Sequence, residues 1–215
     1  MHSHIKRLIA GGENQQLDFK FEVADARKIA RSLAAFANTE GGRLLVGVKD
    51  NGKIAGIRSE EEFYMVEAAA HLYCKPAVYF ETVEWEIEKK KILEIIIPKS
   101  EQKPHYAPQK DDKYLIYIRV NDQNLLANSV LLKVWRREKQ IKGTRLRFTD
   151  NERLLLNYLQ DHARITLSKF IKEAEISKRK AETILVNLIL LDIVEIHFTD
   201  KGAFYTLSPE GQKKD

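Results

Sequence analysis

Lys178-Arg179-Lys180 places three adjacent cations directly behind Ser177, a residue type that caps helices. Cations in a first helical turn oppose the helix macrodipole, at a cost of ~0.3–1 kcal/mol each at low salt. Selection for stability alone would favour acids there, whereas contact with phosphates is a reason to keep lysine and arginine. His197 and Lys201, which fall on a hairpin further along, could add a second contact. A solvated helix end in a protein-binding domain explains the same residues.

Gly47-Val48-Lys49-Asp50-Asn51-Gly52-Lys53-Ile54 comes close to a phosphate-binding loop of the form G-x-x-x-x-G-K-[ST]. Ile54 stands where a hydroxyl should hold magnesium, and a returning strand is expected where a helix N-terminus should cradle phosphate. A hairpin explains these residues better. His2 and His4 near the start of the chain make a poor metal site, and His105 lies between Pro104 and Tyr106 in an expected loop. No Ser/His/Asp or Cys/His arrangement has a recognisable local context.

The elements that must position these residues can be read from periodicity. Leu17–Phe21 alternates as a half-buried strand does, and Asp25 opens a helix with Ile29, Leu33 and Phe36 on one stripe beside small alanines. Gly41-Gly42 ends that helix. Leu44–Val48 reads as a buried strand, Asn51-Gly52 as a hairpin turn, and Lys53–Ile57 as the returning partner. A second helix is expected over Ser59–Cys74. Strands follow around Val83–Ile87, Ile92–Ile97 and Tyr114–Val120, with a polar loop over Lys99–Asp112. Ser129–Ile141 reads as a helix with Trp135 on its apolar side, closing an α/β domain with a mixed sheet over residues 1–142. Gly143 then begins a linker.

Residues 143–215 form a second domain. Thr149 with Glu152 spells a capping box. Leu155, Tyr158 and Leu159 mark one helix, Leu167, Phe170, Ile171 and Ala174 a short second, and Ile184, Leu185, Leu188 and Ile189 a third. Ile193–Phe198 and Ala203–Leu207 make a hairpin around Thr199–Gly202. Three helices followed by a hairpin is the order of a winged helix, whose third helix enters the major groove.

The whole chain carries 36 Lys and Arg against 31 Asp and Glu, a net charge of +5. Residues 143–215 contribute +1 and residues 1–142 contribute +4, so charge favours polyanions without saying which domain meets them. Cys74 is the only cysteine, which excludes a disulfide framework and a cysteine-based zinc site. The longest apolar runs are far too short to span a bilayer, and the first residues lack the apolar core of a signal peptide. A cytoplasmic protein with no membrane partner is the expectation.

Taken together, Leu17-Asp18-Phe19-Lys20, Ala35-Phe36-Ala37-Asn38-Thr39-Glu40-Gly41-Gly42, Leu45–Gly52 and Tyr117-Ile118-Arg119-Val120 resemble the Schlafen AlbA-like family. The likeness spans about residues 8–128, and its A-F-A-N-T-x-G-G segment is the most specific part. The resemblance implies a Schlafen AlbA-like domain which, with a winged helix behind it, suits a DNA-binding transcriptional regulator. The family also includes metal-dependent endoribonucleases acting on tRNA or rRNA through three carboxylates. Glu13, Asp18 and Asp50 fall on those positions, with Asp18 one methylene shorter than the usual glutamate. If that chemistry applied, the three acids would hold Mg²⁺ or Mn²⁺ and Lys20 would meet a phosphate. Otherwise no cofactor is expected, and the acids form an ion-pair cluster with Lys20. A protein-binding adaptor is the third alternative. Schlafen cores pair two AlbA-like lobes and this sequence has one, so a homodimer acting on DNA, or on structured RNA, is expected.

Overall fold

The computed structural model describes residues 3–109, 111, 113–140 and 148–209. Two compact units divide the chain, Met1–Leu126 and Ala127–Asp215. The expected domain junction at Lys142-Gly143 and the last residue of the Ser129–Ile141 helix lie outside the described residues.

The first unit begins with α1 (Ser3–Gly11), followed by β1 (Leu17–Lys20), α2 (Ala26–Asn38), β2 (Gly42–Val46) and α3 (Glu61–His71). The strands β3 (Glu81–Ile87), β4 (Lys90–Ile97), β5 (Tyr106–Pro108), β6 (Tyr114–Val120) and β7 (Gln123–Leu126) complete it. One sheet has the order β1-β2-β4-β3, with β1 parallel to β2 and the other pairs antiparallel; β5-β6-β7 form a second, antiparallel sheet. The expected mixed sheet is therefore present.

β2 and β4 read as continuous apolar runs because both of their faces are covered. Leu44, Val46, Leu93, Ile95 and Ile97 join the core built on α2 and α3. Leu45 and Ile92 face the other way, onto Ile5 of α1 and onto Leu17 and Phe19. α2 touches strands of both sheets, and Ala30, Ala34, Ala35 and Ala37 let the backbones approach closely. Asp25 caps this helix, its side chain accepting from the backbone N–H groups of Arg27 and Lys28.

Four details differ from the periodicity reading. Ser3–Gly11 forms a helix, held by burial of Ile5. The return after Asn51-Gly52 is a single bridge between Val48 and Ile54, because Gly47 and Gly56, both at positive φ, turn the chain away. Glu88 and Lys89, at φ 54° and 60°, make the β3–β4 turn, and Lys90 already belongs to β4. Finally, β5 falls inside the expected Lys99–Asp112 loop, where Tyr106–Pro108 pairs with Tyr114–Ile116.

The second unit contains α4 (Ser129–Glu138), α5 (Asp150–Asp161), α6 (Leu167–Glu173), α7 (Lys178–Leu190), β8 (Val194–Thr199) and β9 (Gly202–Leu207). The capping box at Thr149 and Glu152 forms, and Ser177 caps α7 by accepting from the Lys180 backbone N–H. Phe170, Leu185, Leu188 and Tyr205 are fully buried in one core. Ile165, just before α6, bridges to Tyr205 of β9.

α4, assigned from the sequence to the first domain, packs against α7 instead. Asn128 accounts for part of this: it caps α4 through Leu131 N and donates to the Tyr205 hydroxyl at 3.3 Å. Val130 and Val134 then complete the second core.

Candidate functional site

Asp18 points from the short strand β1 into the first unit and is 3% exposed. Its Oδ2 lies 2.9 Å from Lys20 Nζ, and its Oδ1 3.5 Å from Nη2 of the buried Arg119. Ser32 Oγ donates to Oδ2 at 3.4 Å, Asn124 Nδ2 donates to Ser32 Oγ at 2.9 Å, and Arg119 Nη1 donates to Asn124 Oδ1 at 3.2 Å, so the four residues close a ring. Arg119 also donates to the carbonyls of Asn14 and Leu17, and its guanidinium lies 5.0 Å from the centre of the Phe36 ring.

Glu13 accepts from Phe19 N at 2.8 Å and lies beside Asp18. Burial and the Asp18 contact push Glu13 above the ordinary carboxylate range. Burial alone would raise Asp18 as well, but the Glu13 contact, Lys20 and Arg119 outweigh it and hold Asp18 low. Two cations thus answer the buried Asp18 carboxylate, Lys20 at 2.9 Å and Arg119 at 3.5 Å.

Asp50 is exposed in the turn that follows Val48. Among the described residues no three His, Cys, Asp or Glu side chains group as a metal site. The three acids implied by the resemblance are not brought together as one donor set among the described residues. Asp18 is balanced by Lys20 and Arg119, Glu13 is held by Phe19 N, and Asp50 stands outside the cluster. Lys20 is also engaged, donating to Phe19 O at 2.8 Å.

The most specific motif of the sequence proves to be a packing device. Asn38 Nδ2 donates to the carbonyls of His105 and Tyr117, both at 2.9 Å, and its Oδ1 accepts from His105 N at 2.7 Å. A Cβ on Gly42 would come within 2.4 Å of the Phe36 ring, and one on Gly41 within 2.6 Å of Ile97 O. Phe36 is thus held between Gly42 and Arg119.

In the second unit Lys178, Arg179 and Lys180 are all exposed in the first turn of α7, which carries no acid. Lys178 reaches Glu182 one turn on, at 4.0 Å. Glu182 is buried beneath α4, accepting from Ser129 Oγ and Lys133 Nζ, both at 2.5 Å. On the hairpin, His197 bonds Thr206 Oγ1 at 2.8 Å and stacks on Phe204. Lys201 is exposed and lines a cleft of about 530 Å³ together with Arg164 and Lys169, two cations that periodicity gave no reason to single out. Arg119 and Glu182 also escaped the sequence reading. Arg119 stood within the family motif, and an acid among the apolar positions of α7 was the available signal for Glu182.

Comparison with solved structures gives likenesses with TM-scores below 0.5. The DIP2311 protein of Corynebacterium diphtheriae is 18% identical at a TM-score of 0.46, over 92% of this chain and 35% of that one. The N-terminal domain of an ATP-dependent DNA helicase RecG-related protein from Nitrosomonas europaea is 21% identical at 0.40, over 58% of this chain and 92% of that domain. BpsR of Bordetella bronchiseptica, whose DNA binding is regulated by 6-hydroxynicotinic acid, is 18% identical at 0.28, over 39% of this chain and 64% of that protein. This chain thus spans about a third of the Corynebacterium protein. No curated protein matches. Among the described residues no helix is long and apolar enough to cross a membrane. The model of the Schlafen AlbA_2 family matches residues 13–128, more than half of the sequence and the whole span of the Asp18–Arg119 ring, and the chain belongs to that family.

Proposed function

We propose that this protein binds DNA through its second unit, acting as a transcriptional regulator, with α7 as the recognition helix of a winged helix. The observation that carries the reading is the first turn of α7, where three exposed cations oppose the helix dipole with no acid among them. The element order and the bridge from Ile165 to Tyr205, which adds a third strand position to the β8–β9 hairpin, support the winged-helix assignment. Lys201, with Arg164 and Lys169 beside it, supplies a second basic surface for the sugar–phosphate backbone. The first unit has a scaffolding role in this reading: a buried carboxylate paired with Lys20 and Arg119 suits a structural core better than metal-assisted hydrolysis. Pairing of two chains through that unit, which would present two α7 helices to a two-fold site, belongs to the same reading.

The test is a titration of duplex DNA and of structured RNA, with and without Mn²⁺, using the wild type and the Lys178→Ala/Arg179→Ala/Lys180→Ala variant. Each lost phosphate contact should lower the slope of log affinity against log salt by ~0.9, so the variant should lose about 2–3 from it while keeping its fold. The stoichiometry on one duplex reports whether two copies bind together. An unchanged affinity and slope would refute α7 as the contact. Mn²⁺-dependent cleavage would make the protein a nuclease, and absence of any nucleic-acid affinity would leave a protein-binding adaptor.

A further inference from the structure

The cationic surface of α7 continues onto a neighbouring helix. Within the second unit, Lys133, Arg136 and Arg137 of α4 line one groove of about 270 Å³ with Arg179, Thr183 and Val186 of α7. Two of these four cations are already engaged. Lys133 is balanced by Glu182, and Arg137 donates to Asn187 Oδ1. Arg136 and Arg179 are exposed, and among the described residues neither has an acidic partner. Two guanidinium groups therefore flank the groove without a counter-charge.

Helix electrostatics account for only half of this arrangement. Arg136 and Arg137 stand in the last turn of α4, where cations favour the negative helix end. Arg179 stands in the first turn of α7, where the sign is wrong. Bringing the two together adds like-charge repulsion, which an anion in the groove would relieve. The guanidinium fork matches phosphate oxygens in number and geometry. Val186 and the aliphatic stems of the arginines give the groove an apolar floor suited to a sugar edge, and the Thr183 side chain is exposed at its rim.

We propose that this groove binds a phosphodiester of duplex DNA, so that α4 is a second arm of the interface, gripping the backbone that passes the start of α7. The proposal rests on α7 being the DNA contact, and it adds a residue set and a job: Arg136, with Arg179, binds backbone phosphate and reads no base. It also gives α4 a reason to pack on α7 through the buried Glu182, which places the α4 cations at the groove.

The experiment is fluorescence anisotropy of the full chain on two duplexes of unrelated sequence, between about 50 and 200 mM salt. Arg136→Gln is compared with wild type, with Arg136→Lys, and with Lys178→Ala/Lys180→Ala. Arg136→Gln should lower the salt slope by about 1 and weaken binding several-fold, equally on both duplexes. Arg136→Lys should retain most of the slope because the charge remains. Thermal melting should be unchanged in both, since Arg136 is exposed. If Arg136→Gln binds as wild type while Lys178→Ala/Lys180→Ala is impaired, the α4 arm is refuted and the α7 reading stands. A loss confined to one duplex would also overturn it, since backbone contact carries no sequence preference. No DNA affinity in the wild type would remove both readings together.

Discussion

Replacing Arg119 with methionine tests whether the carboxylates of the first unit are structural or chemical. Arg119 is 2% exposed, and methionine would keep the aliphatic contact with Phe36 while removing the charge. Asp18 would be left with Lys20, whose side chain is 35% exposed and so answers the charge less completely. The carbonyls of Asn14 and Leu17 and the side chain of Asn124 would each lose a donor. Removing one partner of a buried ion pair costs about 3–5 kcal/mol, because the remaining charge is stranded away from water. For a unit of this size that lowers its melting temperature by roughly 10–20 °C. The assay is thermal unfolding followed by tyrosine and tryptophan fluorescence, repeated with Asp18→Asn and with the double variant. If the two side chains support each other, the double variant should recover about 1–3 kcal/mol relative to the sum of the single ones. The reasoning fails if Arg119→Met melts within a degree or two of wild type. It also fails if Mn²⁺ raises the melting temperature of the wild type by mass action, which would mean that the acids hold a metal after all.

Two further substitutions probe other parts of the molecule. Gly42→Ala should destabilise the first unit by about 1–3 kcal/mol in urea unfolding, because the new methyl meets the Phe36 ring at 2.4 Å and Arg119 blocks the ring's retreat. Glu182→Gln should cost the second unit about 1–2 kcal/mol at neutral pH. Burial raises the Glu182 carboxyl, but hydrogen bonds from Lys133 and Ser129 and the charges of Lys133 and Lys178 outweigh it, so its folded value lies below the ordinary 4.5. That contribution is complete above about 4.5 and is lost as the pH falls through the folded value, so wild type and variant should converge in stability in acid.

The sequence by itself determined what depends on neighbours within a few residues. The capping box of Thr149 and Glu152, the Ser177 cap, the apolar stripes of α2, α5 and α7 and the β8–β9 hairpin are local, and each formed where its spacing placed it. The family motif was legible too, though not its purpose. Ala35–Gly42 reads as a helix exit, but Asn38 meets Tyr117 and Phe36 meets Arg119 some eighty residues further along the chain. Only packing brings them together.

Tertiary structure also decided the fate of α1. Ile5, Leu8 and Ile9 have helical spacing, yet nine residues are too few to hold a helix in water without a partner. Burial of Ile5 against the face of the sheet carrying Leu17, Phe19, Leu45 and Ile92 supplies that partner. The three acids Glu13, Asp18 and Asp50 look equivalent in sequence and end in three settings: bound to the Phe19 backbone N–H, ion-paired and exposed. Charge state depends on which cations and dipoles fold within a few ångströms, and Arg119 comes to Asp18 from across the first unit. The position of α4 was decided in the same way. Its sequence specifies an amphipathic helix that begins at an Asn cap, but the buried Glu182, more than forty residues later, selects α7 as the surface it covers.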